Sequence, residues 1–113
     1  MVTQPMSPDV FHAVSDVTRR AILDRLRDGA KPVNELARAF PVSRPAISKH
    51  LRVLYDANLV TERRDGRHRL YRLNPEPLRD LDQWLQHYRH FWTVNLLSLK
   101  KHVESHAGKE KKS

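Results

Sequence analysis

The sequence predicts a mainly α-helical fold with one small β-hairpin and a long C-terminal helix. Apolar residues recur at steps of three and four in several segments of the first half, which is the spacing of amphipathic helices. Further along, Asp65-Gly66 separates two strand-like runs, and Asp-Gly in that position is a strong hairpin signal. From Leu78 to about Val103 the helical spacing continues without a glycine or a proline.

Composition favours an anionic partner. Among 113 residues there are 21 Lys and Arg against 13 Asp and Glu, a formal net charge of +8. Such a balance is typical of nucleic-acid binding first and of membrane-surface binding second. The chain has no cysteine, which excludes disulfides and thiolate metal sites. Neither a signal-peptide pattern nor an apolar run of transmembrane length is present, so we expect a soluble, cytoplasmic protein of one domain.

The N-terminal segment predicts two helices. Residues 1–7 have no periodic pattern and are expected to be a flexible tail. Ser7 can cap a short helix whose apolar side is Val10, Phe11 and Val14. A second helix is expected over Val17–Arg27, with Asp28-Gly29 as its stop. Its apolar residues at helical spacing are Val17, Ala21, Ile22, Leu23 and Leu26.

Two further short helices are predicted with a tight break between them. Lys31-Pro32 is interpreted as a connector, followed by a helix from Glu35 to Phe40. Pro41-Val42 breaks the chain. Ser43 then caps a second helix that runs to about Ala57. Two short helices with this separation are the sequence outline of a helix-turn-helix.

The second of these helices has one apolar and one polar face. Its core-facing residues at helical spacing are Ala46, Ile47, Leu51 and Leu54. The opposite face carries Ser43, Arg44, Ser48, Lys49 and Arg52, with His50 near the boundary. Hydroxyl and cationic groups at a helix start suit phosphate oxygens and guanine edges, which predicts DNA contact. The alternative is the solvated face of a surface helix.

The hairpin is predicted to join Leu59–Arg64 to Arg67–Leu73, with Asp65-Gly66 as its loop. That loop places Val60 opposite Tyr71 and Glu62 opposite Arg69. Its cationic residues are Arg63, Arg64, Arg67, His68 and Arg69. Like charges this close cost stability unless an anion is nearby, so we interpret the hairpin as a wing that contacts DNA phosphates or the minor groove. The alternative is an edge hairpin whose charges prevent aggregation.

The long C-terminal helix carries an apolar stripe. Its members are Leu78, Leu81, Leu85, Tyr88, Trp92, Leu96 and Leu99. A helix from Leu78 to Val103 would be about 40 Å long, more than a domain of this size needs to cover its own core. Part of the apolar stripe can pack against the chain's own domain. For the rest of the stripe, a second copy of the chain is the simplest partner. Residues 105–113 are polar and are expected to form a disordered basic tail.

Together these segments resemble the ArsR-type winged helix-turn-helix repressors over residues 8–104. The residues that carry the resemblance are Asp16-x-Thr18-Arg19-Arg20, Ser43-x-Pro45-Ala46-x-Ser48-x-His50-Leu51 and the wing ending in Tyr71-Arg72-Leu73. The resemblance implies a homodimer that binds an imperfect palindrome near a promoter and blocks transcription. It also implies that Ser43, Arg44, Ser48, Lys49 and His50 enter the major groove. Dimerisation would use the first helix, through Val10 and Phe11, and the last.

The resemblance is to a branch of that family without the cysteine metal box, which would fall near Val33–Ala37. A second metal site of the family lies on the last helix. Candidates there by spacing are His87 with His90 and His102 with His106. Asn74 and Pro77, near the expected upstream ligands, do not suit that role, so we predict no metal or cofactor. An unidentified small molecule or metal remains a possible effector.

Other function classes stay open to different degrees. The same fold could serve as a protein- or RNA-interaction module, or bind DNA without sequence preference as an architectural protein. Catalysis is not predicted. The sequence has only 3 Gly, no glycine-rich phosphate loop, no Ser-His-Asp arrangement with a nucleophile turn and no carboxylate pair in an apolar setting.

Overall fold

In the computed structural model, backbone structure is described for residues 8–112 and side chains for residues 10–93 and 99–103. The tail predicted at residues 1–7 lies outside this range. The chain divides into two compact units, Met1–Leu81 and Asp82–Ser113.

Five helices and three strands follow one another along the described chain. The helices are α1 (Pro8–Ala13), α2 (Val17–Arg25, followed by a 3₁₀ turn at Leu26–Asp28), α3 (Val33–Arg38), α4 (Arg44–Asp56) and α5 (Leu78–Lys112). The strands are β1 (Lys31–Pro32), β2 (Val60–Asp65) and β3 (His68–Leu73). The expected mainly α fold with a small hairpin and a long last helix is confirmed.

The sheet has one strand more than the sequence predicts. Its order is β1-β3-β2 and all pairing is antiparallel. Lys31 pairs with Tyr71 and Pro32 with Leu70, so the interpretation of Lys31-Pro32 as a simple connector was wrong. Proline is tolerated there because β1 is an edge strand and needs no ladder hydrogen bond on its outer side.

The hairpin exists where predicted, but its register differs by two residues. Arg64 lies opposite Arg69, and Glu62 opposite Tyr71. The two-residue loop is therefore Gly66-Arg67 and not Asp65-Gly66. Gly66 has a φ of +63°, the left-handed conformation that a type II′ turn requires at its first loop residue. Because the slip is an even number of residues, each side chain stays on its expected face.

One apolar core holds the first unit together. Its largest fully buried side chains are Val10, Ile22, Leu26, Leu36, Ile47, Leu51, Leu54, Leu59 and Val60. Each such side chain contributes on the order of 1.5–3 kcal/mol. Val17, at the first position of α2, is 69% exposed, whereas Ile22, Leu23 and Leu26 are buried. Val10, one of the residues predicted for dimerisation, is fully buried within its own chain.

Capping residues determine where α2 begins and where α4 begins and ends. Asp16 caps α2, where its carboxylate accepts a hydrogen bond from the Arg19 amide at 3.0 Å. Ser43 caps α4 by accepting from the Ala46 amide at 3.2 Å. Asn58 follows α4 with a φ of +62°, the left-handed conformation in which asparagine commonly ends a helix.

The second unit consists of the α5 residues from Asp82 onward. The helix extends through Lys112, beyond the predicted end near Val103. Asp82 forms an ion pair with Arg89 and accepts a hydrogen bond from Gln86 at 3.5 Å, both on the helix surface. Upstream of this unit, Leu78 and Leu81 are half-buried and pack against the core of the first unit.

Candidate nucleic-acid interface

Helix α4 presents the predicted polar face. Ile47, Leu51 and Leu54 are buried, and the other side of the helix is exposed. The exposed members of that side are Ser43, Arg44, Ser48, Lys49 and Arg52. Apolar residues at helical spacing hold one side of α4 in the core, so the cationic side must point outward. The Ser43 cap fixes where this helix begins and thus where Arg44 stands.

The cationic side chains of the hairpin are also exposed, but they occupy two faces. Side chains alternate along a strand, so Arg64 and its partner Arg69 share the face that carries buried Val60 and Tyr71. Arg63 lies on the opposite face. There it lines a separate hollow of about 170 Å³ with Ala30, Thr61, Leu70 and Arg72. The wing residues predicted as one group are therefore divided.

A cleft of about 300 Å³ separates α4 from the wing. We call it the basic cleft. The side chains that line it are Arg44 and Ser48 from α4, Arg64, Arg67, His68, Arg69 and Tyr71 from the hairpin, and the Pro32–Asn34 segment. No carboxylate lines it among the described residues. Four guanidinium groups that can only donate hydrogen bonds make this cleft suited to phosphate oxygens.

A second cleft of about 350 Å³ opens along α4, and we call it the side cleft. Its lining residues are Ser48, Leu51, Arg52, Tyr55, Glu62, Arg69 and Tyr71. The Tyr71 hydroxyl donates to Glu62 Oε2 at 2.9 Å, and Arg69 Nε lies 3.8 Å from Glu62 Oε1. Burial raises the pKa of Tyr71, and the hydrogen bond to Glu62 adds to that rise, so this phenol stays protonated.

His50 differs from the other predicted contacts on α4. It is half-buried, and its Nδ1 lies 3.3 Å from Arg19 Nη1 and 3.8 Å from the Asp16 carboxylate. The same ring nitrogen of His50 thus lies near a donor, the Arg19 guanidinium, and near an acceptor, the Asp16 carboxylate. His50 therefore links α4 to α2, in addition to the DNA contact predicted for it.

Arg19 is a buried residue that was not among the predicted functional residues. It is 8% exposed, and it donates from Nε to the Ala13 carbonyl at 2.8 Å and from Nη2 to the His12 carbonyl at 3.0 Å. The burial of Arg19 could have been predicted from its position in the sequence. Arg19 stands three, four and seven residues before Ile22, Leu23 and Leu26, on the apolar face of α2, where a charged side chain needs internal partners.

Arg52 belongs to the exposed surface of α4 and is paired on its own helix. Its Nε lies 3.2 Å from Asp56 Oδ1, and both side chains are more than half exposed. Exposed pairs of this kind contribute little to stability, so Arg52 can exchange Asp56 for an external anion at small cost.

The apolar stripe of α5 is largely exposed in the single chain. Tyr88, Trp92 and Leu99 are 43%, 46% and 57% exposed. Leu85 is half-buried, and the side chain of Leu96 lies outside the described residues. Further exposed apolar residues that widen the stripe are Trp84, Phe91 and Val103. So much apolar surface on one helix is typical of a surface that binds a partner.

The histidine pairs of α5 do not form a metal cluster in the described part. His87 Nδ1 donates to the Trp84 carbonyl at 3.1 Å, and the His90 ring packs edge-on against Phe91. The side chain of His106, the partner proposed for His102, lies outside the described residues. Among described side chains, no group of three or more His, Cys, Asp or Glu could hold a metal ion. No described helix is both long and apolar enough to cross a membrane.

The sequence is similar to those of known regulators of transcription. The sequence profile described as a helix-turn-helix domain matches residues 14–63. The chain is 46% identical over 100 residues to the HTH-type transcriptional regulator Rv2034 of Mycobacterium tuberculosis, covering 88% of this chain and 91% of the relative. It is 39% identical to the transcriptional repressor SdpR of Bacillus subtilis, covering 71% and 89%.

A solved structure extends the likeness to the fold. The ArsR-like transcriptional regulator from Rhodococcus sp. RHA1 is 36% identical, with a TM-score of 0.67 and coverage of 86% of this chain and 89% of that one. These relatives are regulators of transcription, the class of protein that the sequence predicts. With its winged helix-turn-helix fold and these relatives, the chain belongs to the ArsR family of DNA-binding transcriptional regulators.

Proposed function

We propose that the protein is a homodimeric repressor that binds an imperfect palindrome in or near a promoter. The observation that carries this proposal is the convergence of α4 and the wing on the basic cleft. Arg44 from α4 and Arg64, Arg67 and Arg69 from the hairpin line one cleft about 300 Å³ in volume. Similarity to the repressor SdpR supports the direction of the effect on transcription.

The two elements have different tasks in this proposal. The first turns of α4 enter the major groove, where Arg44 can donate two hydrogen bonds to the O6 and N7 atoms of a guanine. Ser48 and Lys49 follow on the same exposed side. Arg64, Arg67 and Arg69 bind backbone phosphates, which fixes the register of the protein on the duplex without reading sequence. Base discrimination thus comes from α4 and much of the affinity from the wing.

A second copy of the chain supplies the other half-site. The exposed stripe of α5, with Tyr88, Trp92 and Leu99, is the surface that we assign to this contact. Half-buried Phe11 from α1 adds to it, whereas Val10 does not, because it is fully buried within its own chain. Two α4 helices in such a dimer would read half-sites about one DNA turn apart, roughly 34 Å.

Selection of bound duplexes from a random pool tests the proposal. The expected result is an enriched sequence with two inverted half-sites whose centres are separated by about 10 base pairs. The Arg44→Ala variant, run in parallel, should lose the enrichment at one position in each half-site. A pool that stays random for the wild-type protein would contradict sequence-specific repression and favour an architectural role. Stronger binding to RNA than to any duplex would favour the interaction-module alternative.

A further inference from the structure

Glu62 places a negative charge beside a surface that is lined mainly by cationic side chains. Among the described side chains that line the basic cleft and the side cleft, it is the single carboxylate. It stands on β2 opposite Tyr71, on the same face of the hairpin as Arg64 and Arg69. A carboxylate at this position repels a DNA phosphate, so its effect on binding is not neutral.

The position of Glu62 is fixed by a buried neighbour. Tyr71 is only 7% exposed, and its hydroxyl donates to Glu62 Oε2 at 2.9 Å. The hydroxyl of a buried ring has little freedom, so the carboxylate at its end is oriented. The other oxygen of Glu62, Oε1, is left for Arg69.

Arg69 is the cation at which the two clefts meet. It lines both of them, together with Ser48 and Tyr71. Its Nε lies 3.8 Å from Glu62 Oε1, while the Arg69 and Glu62 side chains are 52% and 34% exposed. Arg64 lies directly opposite Arg69 in the strand register, and like charges in that position repel each other. Glu62 offsets this repulsion in the free protein, but an exposed pair is weak and can be replaced.

From this geometry we propose that Glu62 is a positioning residue that competes with a DNA phosphate for Arg69. The carboxylate holds the guanidinium between the two clefts until a phosphate displaces it. This inference rests on the proposed DNA-binding function and adds a residue that sets the strength of that binding. Because Arg69 is already paired with Glu62 in the free protein, it contributes less to DNA binding than an unpaired arginine would. The affinity for DNA is therefore lower, and the dependence of that affinity on salt is shallower, than the number of exposed cationic side chains predicts.

The variant Glu62→Gln tests the effect of the negative charge of Glu62 on DNA binding. Glutamine keeps a side-chain oxygen that can accept from the Tyr71 hydroxyl, so the fold should be retained and an unchanged melting temperature would verify it. Affinity for both the selected duplex and a scrambled one should rise about two- to fivefold at low salt. The slope of log affinity against log salt should become steeper by about 0.9, the value for one more neutralised phosphate.

Glu76→Gln is the matched control. Glu76 also forms an exposed ion pair, with Arg79 at 3.5 Å, and it lines neither cleft. The variant adds the same unit of net charge, so it separates a local effect from a general one. It should leave the salt slope unchanged and raise affinity by less than Glu62→Gln does.

A double-mutant cycle with Arg69→Ala shows whether the effect of Glu62 passes through Arg69. The gain from Glu62→Gln should disappear in the Arg69→Ala background. Persistence of the full gain there would overturn the proposal, as would a Glu62→Gln variant that matches wild type in affinity and slope. A wild-type protein that binds no duplex would overturn the proposed function as well, so the two failures are distinguished by the wild-type measurement.

Discussion

The guanidinium of Arg19 and the imidazole of His50 meet at 3.3 Å, from Nη1 to Nδ1. This contact joins α2 to α4, and the other nitrogens of Arg19 hold the last carbonyls of α1. The helix that presents Arg44 is therefore positioned by a buried polar group as well as by Ile47, Leu51 and Leu54 in the core. Partners inside the protein explain why a charged side chain is buried there.

Loss of Arg19 should destabilise the fold. Arg19→Ala removes hydrogen bonds to two backbone carbonyls and to His50, and the buried Ala13 carbonyl loses the guanidinium as its donor. We expect a loss of at least about 2 kcal/mol in the free energy of unfolding, measured by urea titration. Arg20→Ala is the control, because neighbouring Arg20 makes one exposed hydrogen bond, to the Val14 carbonyl. Equal losses in the two variants would contradict the anchoring role of Arg19.

Stability should depend on pH through Asp16. The amide of Arg19, which donates to the Asp16 carboxylate, is the main cause of the lowered pKa of that group. Desolvation opposes it, and the nearby side chains of His50 and Arg19 lower the pKa further by smaller amounts. A carboxyl with a lowered pKa in the folded state stabilises the fold above its unfolded pKa, and this contribution is lost as pH falls through the folded pKa.

The variant Asp16→Asn tests that dependence, because asparagine also caps helices but carries no charge. Wild type should be more stable than the variant near neutral pH, and the difference should shrink as pH falls below about 4. Urea titrations over that range measure it. A difference that does not change with pH would show that the Asp16 charge contributes nothing.

Arg44 should determine base preference. Arg44 is exposed at the first turn of α4 and lines the basic cleft. We expect Arg44→Ala to weaken binding to the selected duplex by about 1–3 kcal/mol and to relax discrimination at one base position. Competition binding with single-base variants of the duplex measures this. Arg79→Ala removes the same charge outside both clefts and serves as the control. An equal loss for all sequences would show that Arg44 contacts phosphate alone.

The stripe of α5 should control assembly. Trp92 is 46% exposed, and Trp92→Glu would place a charge in the middle of the proposed contact. We expect the dimer dissociation constant from sedimentation to rise at least about tenfold, with helix content unchanged by circular dichroism. Gln83→Glu introduces the same charge at an exposed α5 position outside the stripe and should have little effect. A wild-type protein that stays monomeric at micromolar concentration would contradict the proposed dimer.

Much of this fold could be predicted because the signals are local. The apolar spacing of Ile47, Leu51 and Leu54 predicts which side of α4 is buried, and hence which side carries Arg44. Ser43 and Asn58 mark the two ends of that helix by capping chemistry that acts within a few residues.

Features that depend on distant partners were not predicted. The strand at Lys31-Pro32 is defined only by its pairing with β3, which lies far along the chain. The hairpin register depends on whether Gly66 is the first or the second residue of the loop, and the sequence Asp-Gly-Arg permits both arrangements. The Glu62–Tyr71 pair follows from that register, whereas the division of the wing between two faces follows from strand alternation alone.

The salt dependence of DNA binding by wild type and Arg64→Ala tests most directly whether α4 and the wing bind one duplex together. Arg64 lines the basic cleft beside Arg44, so its removal should weaken binding to the selected and the scrambled duplex by a similar factor. The slope of log affinity against log salt should become shallower by about 0.9, with Arg79→Ala unchanged. An Arg64→Ala variant with the affinity and slope of wild type would remove the wing from the interface and contradict the account.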